Sequence, residues 1–107
     1  MTNATSERIN QIISSSDVVL FMKGVPASPQ CGFSATVAQC LTACGAKFHA
    51  VNILEDVEVR QGVKEFANWP TLPQLYINGK FVGGCDIVHG MNEAGELLPL
   101  VEAAFKS

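Results

Sequence analysis

The stretch "DVVLFMKG" constrains this chain most, because five apolar residues, Val18 to Met22, follow one another without a polar break. A strand with one wet face alternates apolar and polar residues, so an unbroken run of this length reads as a strand covered on both sides. Gly24 closes it. The run predicts a central, parallel-type strand, with helices packed above and below its sheet.

The remaining periodicity supplies those helices. Ile9, Ile12 and Ile13 stand at i, i+3, i+4 behind Thr5 and Ser6, either of which can cap a short amphipathic helix. From Cys31 the pattern is helical again, with Phe33, Val37, Cys40, Leu41 and Cys44 on one stripe and Gly45 as its stop. "KFHAVNI" reads as a second strand. Asp56 caps a third helix whose apolar face is Val59, Val63, Phe66 and Ala67, although Gly62 lowers its propensity. In "QLYINGKFVGG" the pair Asn78-Gly79 between two β-rich runs marks a tight antiparallel hairpin. The remainder is helical, and Leu97, Leu100, Val101, Ala104 and Phe105 share a face, with Pro99 limiting how early the last helix begins. The expected fold class is α/β, a four-stranded mixed sheet flanked by helices on both faces, in a single domain over residues 1–107.

Bulk properties exclude several function classes. Hydrophobic residues make up 48% and charged residues 16%, which suits a folded domain rather than a disordered one. Seven basic against ten acidic residues give a net charge of −3, which argues against nucleic-acid and polybasic membrane partners. No apolar run approaches the roughly 20 residues of a spanning helix. The start "MTNATSERINQ" lacks the basic and apolar regions of a secretory signal, while a presequence already removed would leave no trace. The expected location is the cytoplasm of a bacterium, or the mitochondrial matrix or another organelle of a eukaryote.

Four cysteines remain to be sorted: Cys31, Cys40, Cys44 and Cys85. The strong core periodicity is unlike a secreted disulfide scaffold, so a reducing compartment is expected. Cys40 and Cys44 fall on the apolar stripe, where free cysteine acts as a small hydrophobe. Cys44 lies thirteen residues beyond Cys31, about 20 Å along one helix, so the two cannot bridge. None of the spacings resembles a zinc site. Cys31 differs: it opens a helix, where free N–H groups and the macrodipole favour a thiolate, and Lys23 should return to the same sheet edge. Cys85 follows Gly83-Gly84 and should open a helix at the same end of the sheet, as a site residue or merely a tolerated small one. His49 reads as structural, and no partner makes His89 a metal ligand. Ser34 occupies the position where a CxxC pair keeps its second sulfur. A hydroxyl cannot resolve a mixed disulfide, so release from Cys31 needs an external thiol.

With "MKG" at Met22–Gly24, "CGFS" at Cys31–Ser34, "RQG" at Arg60–Gly62 and "NWPTLPQLYINGKFVGGCDI" from Asn68 to Ile87, the sequence resembles the monothiol glutaredoxins of the CGFS class over nearly its whole length. That resemblance implies a thioredoxin-like fold and a glutathione groove. Lys23 and Arg60 would hold the glycine carboxylate of glutathione. Leu72, before an implied cis Pro73, would pair its backbone with the ligand as a short strand would. The Cys85 and Asp86 backbone at a helix start would receive the γ-glutamyl carboxylate, and the Asp86 side chain its ammonium. Trp69-Pro70 and the loop Val25–Gln30 fit the pattern of this class, and Trp69 fits a packing role equally well.

The resemblance further implies a cargo. Two chains would each give one Cys31 thiolate, and two glutathione molecules the other two sulfurs, to a 2Fe–2S cluster. The protein would be a cluster-bridged homodimer when loaded and a monomer when apo. It would receive clusters from scaffold proteins, pass them to apo iron–sulfur proteins and pair with BolA-like proteins. The alternative is a glutathione-dependent oxidoreductase that removes glutathione from protein mixed disulfides through the same Cys31. A plain interaction module would leave Lys23, Arg60 and Asp86 without a purpose.

Overall fold

The computed structural model describes residues 2–106 and places the apolar run at the centre of the fold. Strand β1 (Val18–Met22) is buried along its whole length. It pairs in parallel with β4 (His49–Asn52), Val19 opposite His49, and antiparallel with β5 (Gln74–Ile77), Leu20 opposite Leu75. Strand β6 (Lys80–Gly83) completes the order β4-β1-β5-β6. The central strand therefore has one parallel and one antiparallel neighbour, the mixed sheet expected from the sequence.

The unbroken apolar run follows from the two layers it separates. Val18, Leu20 and Met22 face helices α2 (Gly32–Ala43), α4 (Cys85–Glu93) and α5 (Leu97–Lys106) through Val37, Leu41, Val88 and Leu97. Val19 and Phe21 face α1 (Asn3–Ser14) and α3 (Val57–Phe66) through Ile9, Ile13, Val59 and Val63. Each side chain so buried contributes about 1.5–3 kcal/mol. A polar residue anywhere in β1 would face one core or the other.

Local chemistry sets the element ends, and in places it departs from the sequence expectation. Thr2, not Thr5 or Ser6, caps α1: its hydroxyl accepts from the Thr5 N–H at 3.1 Å, and Thr5 is buried one turn inside. Asp56 caps α3 as expected, accepting from the Val59 N–H at 3.1 Å and pairing with Arg8. The Val59 N–H and then the Arg8 guanidinium hold its carboxyl below the usual range. The second strand is shorter than "KFHAVNI" suggests, because it lies at the sheet edge with His49 exposed. Phe33 and Phe105 leave the core faces assigned to them, at 63% and 44% exposure. Phe33 lies in the first turn of α2. Cys44 is the C-cap residue of that helix, half-buried, and Gly45 at φ +70° ends it.

Two short strands complete the chain, β2 (Gly24–Val25) and β3 (Ser28–Pro29), forming a small hairpin just before α2. Gly24 at its start has φ +90°, and a Cβ there would lie 2.6 Å from the Ser28 carbonyl oxygen and 2.7 Å from the Gln30 nitrogen. Gly79, in the Asn78-Gly79 turn with φ +76°, has open space around it. The two glycines should therefore differ in their response to alanine. Gly79→Ala bears only the left-handed conformation, about 1 kcal/mol, whereas Gly24→Ala adds a backbone collision and should cost roughly 3 kcal/mol. Chemical denaturation of the two variants checks the ranking, and equal losses would contradict it.

Candidate functional site

The site forms where β1 ends and α2 begins. Cys31 is the N-cap residue of α2 with an extended backbone. The Ala35 N–H bonds to the Cys31 carbonyl at 2.9 Å, and the thiol itself makes no capping bond. Its environment nevertheless favours the thiolate. The Ser34 backbone N–H does most to lower the Cys31 pKa, and burial opposes it. The Phe33 N–H, the charge of Lys23 and the Ser34 hydroxyl add to the lowering. The helix-start reading of Cys31 and the nearness of Lys23 thus stand in the structure.

Ser34 has a second task. It is fully buried, and its Oγ accepts from the Lys23 backbone N–H at 3.0 Å. The Lys23 carbonyl accepts from Gln30 at 2.9 Å, and the next N–H, that of Gly24, donates to Asn52 Oδ1 at 3.0 Å. The lysine backbone is held from three sides, so its side chain leaves from a fixed point. Asn52 also accepts from the Leu54 N–H at 3.1 Å and so joins this corner to the end of β4. Nothing in the sequence pattern singled out Asn52, because its partner lies twenty-eight residues away.

Cys31 borders two clefts. One, of about 910 Å³, runs along α2 between Gln30 and Ala43 and has no charged residue in its lining. The other, of about 560 Å³, is bounded by Lys23, Lys64, Asp86 and Cys85, with the Trp69–Pro73 loop as its wall. A polar, zwitterionic ligand suits the second, since only it offers charges of both signs beside the thiol. Of the residues singled out in the sequence, Lys23, Cys31, Leu72, Pro73, Cys85 and Asp86 all line this cleft. Arg60 is not in its lining, and among the described residues its buried Nε has no hydrogen-bond partner. Lys64, one turn further along α3, lines the cleft and was missed; its i+4 spacing from Arg60 was the available signal. Phe33 and Ile87 also reach the cleft, which accounts for two exposed apolar side chains.

The far wall is built closely. The Leu72–Pro73 peptide is cis. Gly84, the N-cap of α4, lets the helix start approach this wall, since a Cβ there would lie 3.2 Å from Trp69 Nε1 and 3.3 Å from the Pro73 carbonyl oxygen. Trp69 packs its ring on Phe81 at 5.6 Å and lines the cleft as well, so it serves both roles open to it in the sequence.

The other thiols are held protonated. Burial raises the Cys40 and Cys44 pKa values, with neighbouring cysteines adding to the effect at Cys40. Burial and then the Asp86 carboxylate raise that of Cys85. All four cysteines are free. Iodoacetamide should therefore label Cys31 first as pH rises, since its thiolate persists to lower pH than that of any other cysteine. Lys23→Ala should move the Cys31 rate–pH midpoint upward while leaving the other three unchanged. Peptide mass mapping of the labelled protein reads both, and equal labelling of Cys85 at neutral pH would contradict the site electrostatics.

Comparison with known proteins agrees with this geometry. The glutaredoxin family model matches residues 18–82. The mitochondrial monothiol glutaredoxin-5 of Lachancea kluyveri is 53% identical over 97% of this chain and 75% of its own length. A Synechocystis protein named an uncharacterized monothiol glutaredoxin, ycf64-like, is 47% identical over the full length of both chains. The solution structure of reduced apo GrxS14 from poplar superposes with a TM-score of 0.83 at 51% identity, covering 95% of this chain and 94% of its own.

Proposed function

Because this chain belongs to the glutaredoxin family, we propose that it is a monothiol glutaredoxin of the CGFS class that carries a glutathione-ligated 2Fe–2S cluster and delivers it to apo-proteins. The observation that carries this reading is the single favoured thiolate: Cys31 has a lowered pKa, faces a cleft with charges of both signs, and has a buried serine where a resolving cysteine would stand. One chain supplies one sulfur. A 2Fe–2S cluster needs four ligands, so two chains and two glutathione thiols complete the set.

In this reading glutathione lies in the cleft of about 560 Å³. Lys23 and Arg60 hold its glycine carboxylate, with Lys64, one turn from Arg60 and in the cleft lining, adding to the positive field. The Leu72 backbone pairs with the cysteinyl segment. The N-terminus of α4 at Cys85 and Asp86 receives the γ-glutamyl carboxylate, and the Asp86 carboxylate its ammonium. This places the ligand's thiol beside Cys31. The cluster is cargo, and the exchangeable tripeptide is what lets it leave for an apo-protein. Scaffold proteins, apo iron–sulfur proteins and BolA-like proteins are the partners this role requires.

The lowered Cys31 pKa also supports a second reaction at the same site. The Cys31 thiolate attacks the glutathione sulfur of a protein mixed disulfide and expels the protein thiolate; a second glutathione thiolate then takes the glutathionyl group, giving glutathione disulfide and free Cys31. Ser34 makes that second step intermolecular and favours the carrier over the oxidoreductase.

Anaerobic reconstitution with iron, sulfide and glutathione decides between them. The carrier gives a brown dimer only when glutathione is present, with colour lost in Cys31→Ala and kept in Cys40→Ala and Cys44→Ala. Colour persisting in Cys31→Ala would overturn the reading. Rapid turnover of a glutathione mixed disulfide with no cluster formed would favour the oxidoreductase instead.

A further inference from the structure

The wall of the cleft is held by a polar pair that lies wholly inside the core. Gln74, the first residue of β5, has 0% exposure. Its Nε2 donates to the carbonyls of Trp69 and Thr71, both at 3.3 Å. Its Oε1 accepts from the Tyr76 hydroxyl at 3.3 Å. Tyr76 is 1% exposed and its ring is fixed among Phe21, Phe66 and Phe81, with centroids 5.6, 6.4 and 5.5 Å away. Burial pushes its phenol up to about 12, so it stays a neutral donor.

This arrangement has one consistent orientation. A carboxamide carries two N–H protons and one acceptor oxygen, and here each proton meets a loop carbonyl while the oxygen meets the phenol. Turning the amide over would set an oxygen against two carbonyls and leave the phenol proton facing an NH₂ group. The chain of contacts therefore runs in one direction, from an aromatic cluster through a phenol and an amide to two backbone carbonyls. Both carbonyls belong to the Trp69–Pro73 loop, every residue of which lines the cleft. A buried polar network satisfied in this way rigidifies what it holds.

We infer that Gln74 and Tyr76 form a buried latch that fixes the Trp69–Pro73 wall, and that they are positioning residues for glutathione although neither lines its cleft. The ligand part of this inference rests on the glutathione reading above; the wall part does not. Hydrogen bonds to a loop that must be ordered before it can bind raise affinity by removing an ordering cost from the binding step. Neither residue contributes to the Cys31 environment, where Ser34, Phe33 and Lys23 set the thiol.

Two variants and three readouts test the latch. Gln74→Met removes both donors at nearly constant volume, and Tyr76→Phe removes only the hydroxyl. Trp69 is the chain's one tryptophan, so acrylamide quenching of its fluorescence follows the wall without any ligand. Gln74→Met should roughly double the quenching constant and weaken glutathione binding, measured by calorimetry, about tenfold. Tyr76→Phe should weaken binding about threefold. The Cys31 alkylation profile should match the parent's in both, whereas a variant that merely loosened the whole fold would move it. A folded Gln74→Met with parental quenching and parental affinity overturns the latch. Should Gln74→Met not fold, parental quenching and affinity in Tyr76→Phe overturn it equally. A parent that binds no glutathione, with Trp69 loosened in Gln74→Met, overturns the glutathione reading and upholds the latch on the wall.

Discussion

The hydrogen bond from the Lys23 N–H to the buried Ser34 Oγ, 3.0 Å long, is the contact on which the site depends. It ties the last turn of the chain out of β1 to the first turn of α2, so the lysine and the cysteine are placed by one clamp rather than by two loops. A hydroxyl suits this position because it accepts from the lysine amide and still has a proton to offer the Cys31 sulfur. A thiol would be a weaker partner for both. Read from the motif alone, Ser34 is a cysteine that is missing; in the fold it is a group with work of its own.

Around that clamp the sheet acts as a rigid frame. Because β1 is buried on both faces, the end of the strand cannot drift without disturbing two cores, and everything that leaves it inherits its position. The same frame carries β5, whose Gln74 reaches back to the loop just before it. The cleft thus has one side set from β1 and α2 and the other set from β5, with α4 closing it at Gly84. Charges of both signs on these rigid supports are what a zwitterionic tripeptide needs, and one activated sulfur is what a borrowed-ligand cluster needs.

Much of this was legible beforehand, for identifiable physical reasons. The two-sided burial of Val18–Met22 follows from five apolar residues in a row, and the hairpin from Asn78-Gly79, both at positive φ. Cys31 could be found because a helix start acts on a thiol through local geometry, whereas Asp86 was singled out through the family resemblance. The errors came where tertiary position overrides local pattern. Phe33 keeps the helical spacing of a core residue but is exposed in the first turn of α2, where it lines the cleft, and Phe105 is exposed near the end of α5. Lys64 was missed although it stands one turn from Arg60, because only the packing of α3 shows that it lines the cleft. Asn52 was invisible because it serves backbone N–H groups, and Gln74 because its amide holds two loop carbonyls, and backbone groups carry no sequence signature.

The central claim is that Cys31 completes its ligand set by borrowing sulfur from glutathione and from a second chain. Native mass spectrometry of the anaerobically reconstituted protein tests it most directly. The expected mass is that of two chains, one 2Fe–2S cluster and two glutathione molecules, falling to bare monomer when glutathione is removed. A cluster-bearing species with one chain, or with two chains and no glutathione, would contradict the claim.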